Sequence, residues 1–313
     1  MTRISKDKML RKTSELFIVL GLAGGLLALE PVRQELVRQQ QQTGLTLASF
    51  YRDLTTANFA DRSDEGKKIK VSNGLPVEGA VSRDGRYVAL NLSFDHPYRT
   101  YLGITPQDGG LLKEYPDVVS PSDMCWSYDK SKIALNAALR RQIHGELLIV
   151  ELESKDTQEI EAGAHVTSQC WSPDGKQVVY GIGDSIRIYD LAEKKWRELA
   201  KGFYPTWSPD GAWISFHRKD AYYVIRPSGA EQKQLFKQAD VRTGLWWSPD
   251  GGVVAYISRG GEYPPHKGLI DFSPRQLRVR RLADNSDDWI LVEPDVDYVP
   301  SYQWVLPAQP KSK

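Results

Sequence analysis

A five-residue sequence, Trp-Ser-Pro-Asp-Gly, recurs three times without change, and it limits the possible fold more than any other part of the chain. The identical copies begin at Trp171, Trp207 and Trp247. Two looser copies precede them, at residues 81–85 and 126–130. The five aspartates of these copies are 45, 45, 36 and 40 residues apart, so the chain is built from tandem units of about 40 residues.

Each copy has the composition of a tight turn. The serine hydroxyl can accept a backbone N–H bond, proline presets φ at about −65°, and glycine takes the left-handed conformation that closes a short hairpin. A short strand is predicted after each identical copy, at residues 177–180, 212–216 and 253–257. The tryptophan before each turn is predicted to pack as a wedge between neighbouring sheets.

The second copy departs from the pattern, because Lys130 stands where the other copies have glycine. A positive φ at this lysine would cost about 1 kcal/mol. The residues that we predict to define the structural repeat are Asp84, Trp126, Asp129, Trp171, Asp174, Trp207, Asp210, Trp247, Asp250 and Trp304.

A unit of this length with four short strands has the size of one blade of a β-propeller. Residues 299–305 are predicted to form one more first strand with its tryptophan. We therefore expect residues 45–72 to supply the other strands of that blade, so that both ends of the chain share the sixth blade. A five-bladed ring with a loose C-terminal strand is the alternative. In the third unit the predicted strands are residues 167–170, 177–180, 185–190 and 196–199.

The pentapeptides resemble the WD-like β-propeller repeats of the TolB-type family, and the resemblance covers residues 76–306. It implies a β-propeller. With the strand count, the predicted fold class is an all-β, six-bladed β-propeller with one composite blade, preceded by an N-terminal transmembrane or signal helix. Such propellers serve as protein-binding modules, as domains that gate peptidases and occasionally as sugar-acid lyases, so the resemblance bears on fold more than on activity.

The N-terminal segment differs in kind from the repeats. An apolar run of fourteen residues, 16–29, follows five basic residues. This length suits the core of a signal peptide and is short for a spanning helix, but no small-x-small cleavage site ends the run. An uncleaved anchor is favoured, with a cleaved signal or a buried helix as alternatives. The basic residues are Arg3, Lys6, Lys8, Arg11 and Lys12.

The basic flank predicts that the N-terminus is cytoplasmic and that the propeller lies on the extracytoplasmic, periplasmic side of the cytoplasmic membrane. Cleavage would instead release a secreted protein. The predicted segments are a signal-anchor at 1–30, a polar stalk at 31–44, the β-propeller at 45–306 and a tail at 307–313.

Charge and motifs exclude several classes of function. With 41 basic and 40 acidic residues the net charge is +1, which gives no field for nucleic acid. The nucleophile elbow, the zinc-protease helix motif, the phosphate-binding loop and the paired Cys-x-x-Cys motif are all absent from the sequence. We therefore predict no cofactor and no metal, and a protein without catalytic activity is favoured over an enzyme.

Two smaller groups of residues need an interpretation. Cys125 and Cys170 each precede a wedge tryptophan on neighbouring inner strands. A disulfide would require Cα atoms within about 7 Å, and inner strands of adjacent blades usually diverge further, so two buried free thiols are favoured. Alternate residues of one strand mostly face solvent, so a solvated strip is expected for Arg275, Arg278, Arg280 and Arg281.

Four of the five histidines fall at or just after the predicted second strand of a unit, and His165 begins a predicted innermost strand. Because the loops that join strands two and three of a propeller share a face with the loops that enter strand one, these histidines should gather on one side of the ring. We predict a binding face there, in which the inserted loop 259–275 is the best candidate for a specific contact. Its residues are His96, Tyr98, Arg99, His144, His165, His217, Arg218, Tyr263, His266 and Lys267.

Chance placement of polar loop residues, or a metal held by the histidines, are the alternatives to a binding face. The sequence favours a membrane-tethered, non-catalytic, TolB-like module that binds a protein or peptide partner in the cell envelope. An enzyme acting on an acidic sugar, a lyase or hydrolase that uses the histidines and arginines of this face, is the alternative function, and a purely structural part of an envelope assembly is a third.

Overall fold

The computed structural model describes residues 46–51, 53–57, 75–93, 100–106, 113–139, 146–162, 166–238, 243–259, 275–293 and 301–305. Within these ranges the chain forms 22 β-strands. The predicted signal-anchor, stalk and tail lie outside the described residues. In the ranges that are described, no helix has the length and apolar character needed to span a membrane.

The strands are short, with most between five and eight residues. In the first half of the chain they are β1 (Thr46–Tyr51), β2 (Asp53–Ala57), β3 (Leu75–Val81), β4 (Tyr87–Ser93), β5 (Thr100–Pro106), β6 (Lys113–Trp126), β7 (Lys132–Leu139), β8 (Glu146–Glu151) and β9 (Thr157–Glu161). In the second half they are β10 (Val166–Trp171), β11 (Gln177–Ile182), β12 (Ser185–Asp190), β13 (Lys195–Lys201), β14 (Phe203–Trp207), β15 (Ile214–Arg218), β16 (Ala221–Ile225), β17 (Gln232–Lys237), β18 (Trp246–Trp247), β19 (Val253–Arg259), β20 (Arg275–Arg281), β21 (Asp287–Glu293) and β22 (Ser301–Val305).

Three sheets of the second half are four-stranded antiparallel meanders, with the orders β10-β11-β12-β13, β14-β15-β16-β17 and β18-β19-β20-β21. The first of them confirms the four strands predicted for the third unit. The sequence folds this way because alternating apolar residues fill one strand after another, and each pentapeptide turn reverses the chain between the first and second strands.

The first two units share a single sheet with the order β3 to β9. The 14-residue strand β6 joins them. Its first half pairs with β5, where Lys113 is opposite Ile104, and its second half pairs with β7, where Trp126 is opposite Ile133. One long strand therefore serves as the last strand of one unit and the first strand of the next.

The two ends of the described chain meet in one sheet of order β2-β1-β22. β22 pairs antiparallel with β1, with Trp304 opposite Leu47 and Ser301 opposite Phe50. This is the pairing of N-terminal and C-terminal strands that the sequence predicts, although residues 58–72 lie outside the described ranges.

The pentapeptide turns have the predicted geometry, and aspartate has a larger role in them than expected. In the unit at Trp207, the Ser208 hydroxyl donates to Asp210 at 2.5 Å and accepts from the Trp213 N–H at 2.9 Å. The same carboxylate accepts the N–H of Ala212 at 3.0 Å. The serine-to-aspartate bond recurs in all five copies. The aspartates are therefore part of the bonding of the turn.

Two of the tryptophans at the first-strand ends pack between neighbouring sheets. Trp171 is fully buried, and its indole lies in one apolar cluster with Ile149 of β8 and Val178 of β11. Trp207 likewise packs between Ile188 of β12 and Phe216 of β15. Each ring thus fills the space between two neighbouring sheets, so the core of the molecule lies between the sheets and along their first strands.

The expected solvated strip on β20 is wrong for two of its arginines. Arg278 and Arg280 both bind the Asp287 carboxylate of β21, at 3.0 and 2.8 Å, with side chains only 25% and 14% exposed. Arg280 also lies over the Phe236 ring, with its guanidinium carbon 4.2 Å from the ring centre. Because both guanidinium groups bind the Asp287 carboxylate, these side chains pack against the sheet instead of extending into solvent.

Candidate functional site

A cavity of 430 Å³ lies where the first strands of the units converge. Strands β6, β10, β14, β18 and β22 each contribute tryptophan to its wall, at or next to the end of the strand. We call it the inner cavity. The tryptophans that line it are Trp126, Trp171, Trp207, Trp246, Trp247 and Trp304.

A repeated irregularity shapes the wall of the inner cavity. Asp123 on β6, Ser168 on β10 and Tyr204 on β14 each stand three residues before the tryptophan and have positive φ angles of 49°, 54° and 56°. The strand register breaks at each of these points, and all three residues line the inner cavity. Bulges re-aim side chains, so these three first strands present an extra residue to the cavity.

At the matching position of the next unit, three residues before Trp247, the chain has Gly244, which lies just before β18. A Cβ on Gly244 would lie 2.8 Å from Thr206 Cγ2 and 2.9 Å from the Tyr204 carbonyl oxygen. Both distances are shorter than ordinary van der Waals contact, so β14 and the segment before β18 approach each other too closely for a side chain.

Indole hydrogen bonds tie the first strands to each other. The Trp126 N–H donates to the Ala80 carbonyl at 3.0 Å, and the Trp171 N–H donates to the Cys125 carbonyl at 3.0 Å. Trp304 repeats this bond with the Trp246 carbonyl at 2.8 Å. In each of these three cases the acceptor precedes the last residue of the preceding first strand. The other two indoles differ, because the Trp247 N–H donates to the Ser215 hydroxyl at 3.1 Å and the Trp207 N–H has no hydrogen-bond acceptor.

Two charged residues, Asp123 of β6 and Arg83, line the cavity together with the tryptophans. The Asp123 carboxylate accepts the Asn136 amide at 3.1 Å. Arg83, from the turn between β3 and β4, lies over the Tyr128 ring with its guanidinium carbon 4.4 Å from the ring centre. Both residues line the inner cavity. The lining of the cavity therefore combines a negative group, a positive group and aromatic rings, an arrangement that can orient a ligand carrying both apolar and charged parts.

Of the predicted binding residues, two are described. His217 on β15 is only 7% exposed, and its Nε2 lies 3.1 Å from the Gln238 carbonyl oxygen. Burial lowers the pKa of His217, although the Gln238 carbonyl and the charge of Asp220 oppose the shift. Arg218 is half-buried, with its guanidinium carbon 4.6 Å from the centre of the Tyr223 ring.

The structure therefore places His217 in the packed interior of its sheet, and neither His217 nor Arg218 lines the inner cavity. The other predicted binding residues lie outside the described ranges: His96, Tyr98, Arg99, His144, His165, Tyr263, His266 and Lys267. Among the described residues, no group of three or more histidine, cysteine or acidic side chains could hold a metal ion.

Sequence reasoning missed the cavity-lining residues Asp123, Ser168 and Tyr204. Their identities give no common signal, since they are an acid, a small hydroxyl and an aromatic residue. What they share is a fixed distance of three residues before the tryptophan, and this spacing is the signal that could have identified them.

No protein-family model matches the chain. Among solved structures, one similar protein is designated as a candidate TolB from Agrobacterium tumefaciens. It has 17% sequence identity and a TM-score of 0.59, and the match covers 79% of this chain and 88% of that one. TolB from Acinetobacter baumannii has 16% identity and a TM-score of 0.62, with 86% of this chain and 70% of that chain covered.

An oligogalacturonate lyase in complex with manganese is also similar, with 13% identity, a TM-score of 0.55, and 80% of this chain and 79% of that chain covered. At these identities the similarities are evidence of fold alone. Together with the repeated antiparallel sheets, they show that the chain has a β-propeller fold structurally similar to the TolB propellers.

Proposed function

We propose that this protein is a six-bladed β-propeller whose sixth blade is the β2-β1-β22 sheet, and that it acts as a non-catalytic module binding a protein or peptide partner in the cell envelope. The observation that carries the proposal is the inner cavity, whose lining includes six tryptophans together with Asp123 and Arg83. Aromatic walls with a few charged groups suit peptide segments, because rings supply contact area and charges supply orientation.

The proposed module is held at the extracytoplasmic side of the cytoplasmic membrane by residues 1–30. The five basic residues before the apolar run support this orientation. Protease treatment of intact and of permeabilised cells tests it: the propeller should be degraded only where the protease can reach the extracytoplasmic space. Degradation that requires rupture of the cytoplasmic membrane would contradict the proposal.

Site-specific photo-crosslinking tests the binding site. A benzophenone amino acid in place of Tyr204 puts the reactive group in the wall of the inner cavity. The matched control replaces Trp196, an aromatic residue of β13 that is 47% exposed and does not line the cavity. We expect irradiation of intact membranes to join a partner at position 204 and not at position 196. Equal capture at both positions, or capture at 196 alone, would place binding elsewhere.

The inserted loop remains a second part of the proposed site. A variant lacking residues 260–274 should lose the partner captured at position 204 if the loop contributes contacts, since long loops on rigid scaffolds commonly carry recognition. Unchanged capture would restrict the site to the inner cavity.

A second candidate function is cleavage of an acidic sugar polymer, which the similarity to an oligogalacturonate lyase supports. The test is incubation of the purified chain with oligogalacturonate, with and without Mn²⁺. Shortened products formed only with the intact protein would favour the enzyme over the binding module.

A further inference from the structure

The two cysteines of the chain occupy equivalent positions in the wall of the inner cavity. Cys125 immediately precedes Trp126 at the end of β6, and Cys170 immediately precedes Trp171 at the end of β10. Both thiols are free and half-buried, and both line the cavity. The two positions belong to neighbouring first strands, so the cysteines face a common space.

Two hydrogen bonds hold these strands together on either side of the cysteines. The Gln169 carboxamide donates to the Asp123 carbonyl. The Trp171 indole donates to the Cys125 carbonyl at 3.0 Å. The sequence predicts that neighbouring inner strands diverge at this point, but these bonds keep β6 and β10 close, and both thiols line the same cavity.

The two thiols differ in pKa. The hydrogen bond with Cys170, together with burial, raises the pKa of Cys125. The same hydrogen bond lowers the pKa of Cys170, because the Cys125 S–H stabilises a thiolate there. A nucleophilic thiolate beside a protonated partner is the arrangement on which thiol–disulfide exchange depends.

Neither thiol has a strong competing partner. Cys125 Sγ lies 3.8 Å from the Trp126 carbonyl oxygen, and Cys170 Sγ lies 3.7 Å from that of Trp171. These are weak sulfur contacts. Loss of both thiol protons therefore leaves no strong donor or acceptor unsatisfied.

We propose that Cys125 and Cys170 form a reversible dithiol–disulfide site in the wall of the inner cavity, reacting with small-molecule disulfides of the glutathione type. The cavity gives such a molecule access, since its 430 Å³ is in the range of small-molecule sites. The resulting bond would link the first strands of two neighbouring units.

The exchange proceeds in two balanced steps. The Cys170 thiolate attacks one sulfur of glutathione disulfide, forming a mixed disulfide and releasing one glutathione thiolate. Cys125 then loses its proton to solvent and attacks the Cys170 sulfur, which forms the Cys125–Cys170 bond and releases the second glutathione thiolate. The protein loses two electrons and two protons, and the glutathione disulfide is reduced to two molecules of glutathione.

The test uses the purified, folded full-length chain in a series of reduced and oxidised glutathione buffers, followed by acid quenching, alkylation and intact-mass measurement. The sequence has two cysteines, so the alkylation count is unambiguous. We expect two alkylated thiols in reducing buffer. In oxidising buffer we expect none, together with a mass lower by about 2 Da from the loss of two hydrogens. Peptide mapping should join the two cysteine peptides within one chain.

Single variants test the assigned roles. Cys125→Ser keeps a hydroxyl beside Cys170 and Cys170→Ser keeps one beside Cys125, but burial still raises the pKa of the thiol that remains in the second variant. We expect the remaining thiol of the first variant to be alkylated at least about threefold faster than that of the second. Both variants should form mixed glutathione disulfides and no intrachain bond.

Three results would overturn the proposal. The first is a wild-type chain in which both thiols stay alkylatable in every buffer. The second is accumulation of mixed disulfides on the wild type without an intrachain bond. The third is an intrachain bond that forms only after denaturation, because this would show that the folded cavity does not permit the reaction.

Discussion

At the scale of single residues, Lys130 shows how one position can depart from the repeat and still fold. It has a φ of 65°, close to the 68–73° of the glycines at the same place in the other turns. Its ammonium group reaches the Asp84 carboxylate of the preceding turn at 2.8 Å. The ion pair joins two neighbouring turns and offsets part of the strain of about 1 kcal/mol that a side chain has at positive φ.

Substitutions at Lys130 should therefore separate strain from charge. Lys130→Gly removes both the strain and the ion pair, so we expect the free energy of unfolding to change by less than about 0.5 kcal/mol. Lys130→Ala keeps the strain and loses the pair, so it should be less stable than the glycine variant by about 1 kcal/mol. Urea denaturation of the three proteins measures both differences. An alanine variant as stable as the glycine variant would show that positive φ carries no strain here.

His217 predicts a pH dependence of stability. Its pKa in the folded protein is lowered by burial, so the unfolded chain binds the proton more tightly. The neutral ring contributes full stability above the unfolded pKa of about 6.5, and this stability is lost as the pH falls from there toward the lower folded value. His217→Gln should show a smaller drop in Tm between pH 7.5 and pH 5.5 than the wild type. Equal drops would mean that other groups account for the dependence.

At the scale of strands and sheets, the sequence predicts the structural features that every unit shares and does not predict those that occur in one unit only. The pentapeptide turns, the wedge tryptophans and the four strands of the third unit follow from turn chemistry and apolar alternation. The fusion of two units through β6 has no such signal, because no turn residue marks where one unit ends. Nor could the burial of Arg278 and Arg280 be predicted, since it depends on Asp287 in the next strand.

The candidate site likewise contains residues that the repeat predicts and residues that it does not. The five tryptophans that the repeat predicts as structural residues all line the inner cavity, and Trp246, which the repeat does not mark, lines it as well. The bulged residues before them depend on backbone geometry, which side-chain type alone does not encode. The sequence position of His217 predicts a loop face, whereas the structure pairs it with the buried Tyr222 of β16 and makes the histidine itself only 7% exposed.

Trp171 separates the contribution of ring packing from that of the indole hydrogen bond. Trp171→Phe keeps an aromatic ring but removes the N–H that donates to Cys125, so we expect a loss of about 1–2 kcal/mol in the free energy of unfolding. Trp171→Ala also opens a cavity between two sheets and should lose about 3–5 kcal/mol. Chemical denaturation measures both. Similar losses for the two variants would mean that the hydrogen bond outweighs packing.

At the scale of the whole molecule, the pairing of β22 with β1 joins the ends of the described chain. Trp304 is 4% exposed and bonded to the Trp246 carbonyl, so β22 is also attached to the neighbouring sheet. β22 is therefore paired with β1 and hydrogen-bonded to β18 of the neighbouring sheet.

Truncation should reveal this role. A chain ending at residue 298 lacks β22 and should lose cooperative unfolding or aggregate, because β1 and the wedge space are left uncovered. A matched chain ending at residue 306 keeps β22 and should unfold as the full chain does. Thermal unfolding followed by circular dichroism compares them. A cooperative transition of unchanged Tm in the shorter protein would show that β22 is dispensable.

The shared sheet also has a consequence for biosynthesis. β22 begins at residue 301, 250 residues after β1 ends at residue 51, so the two strands cannot pair until every unit between them has been made. At typical elongation rates this interval is on the order of tens of seconds. During that time β1 has an unpaired edge in an unfinished molecule, and we expect nascent chains stalled before residue 301 to be the form that chaperones retain.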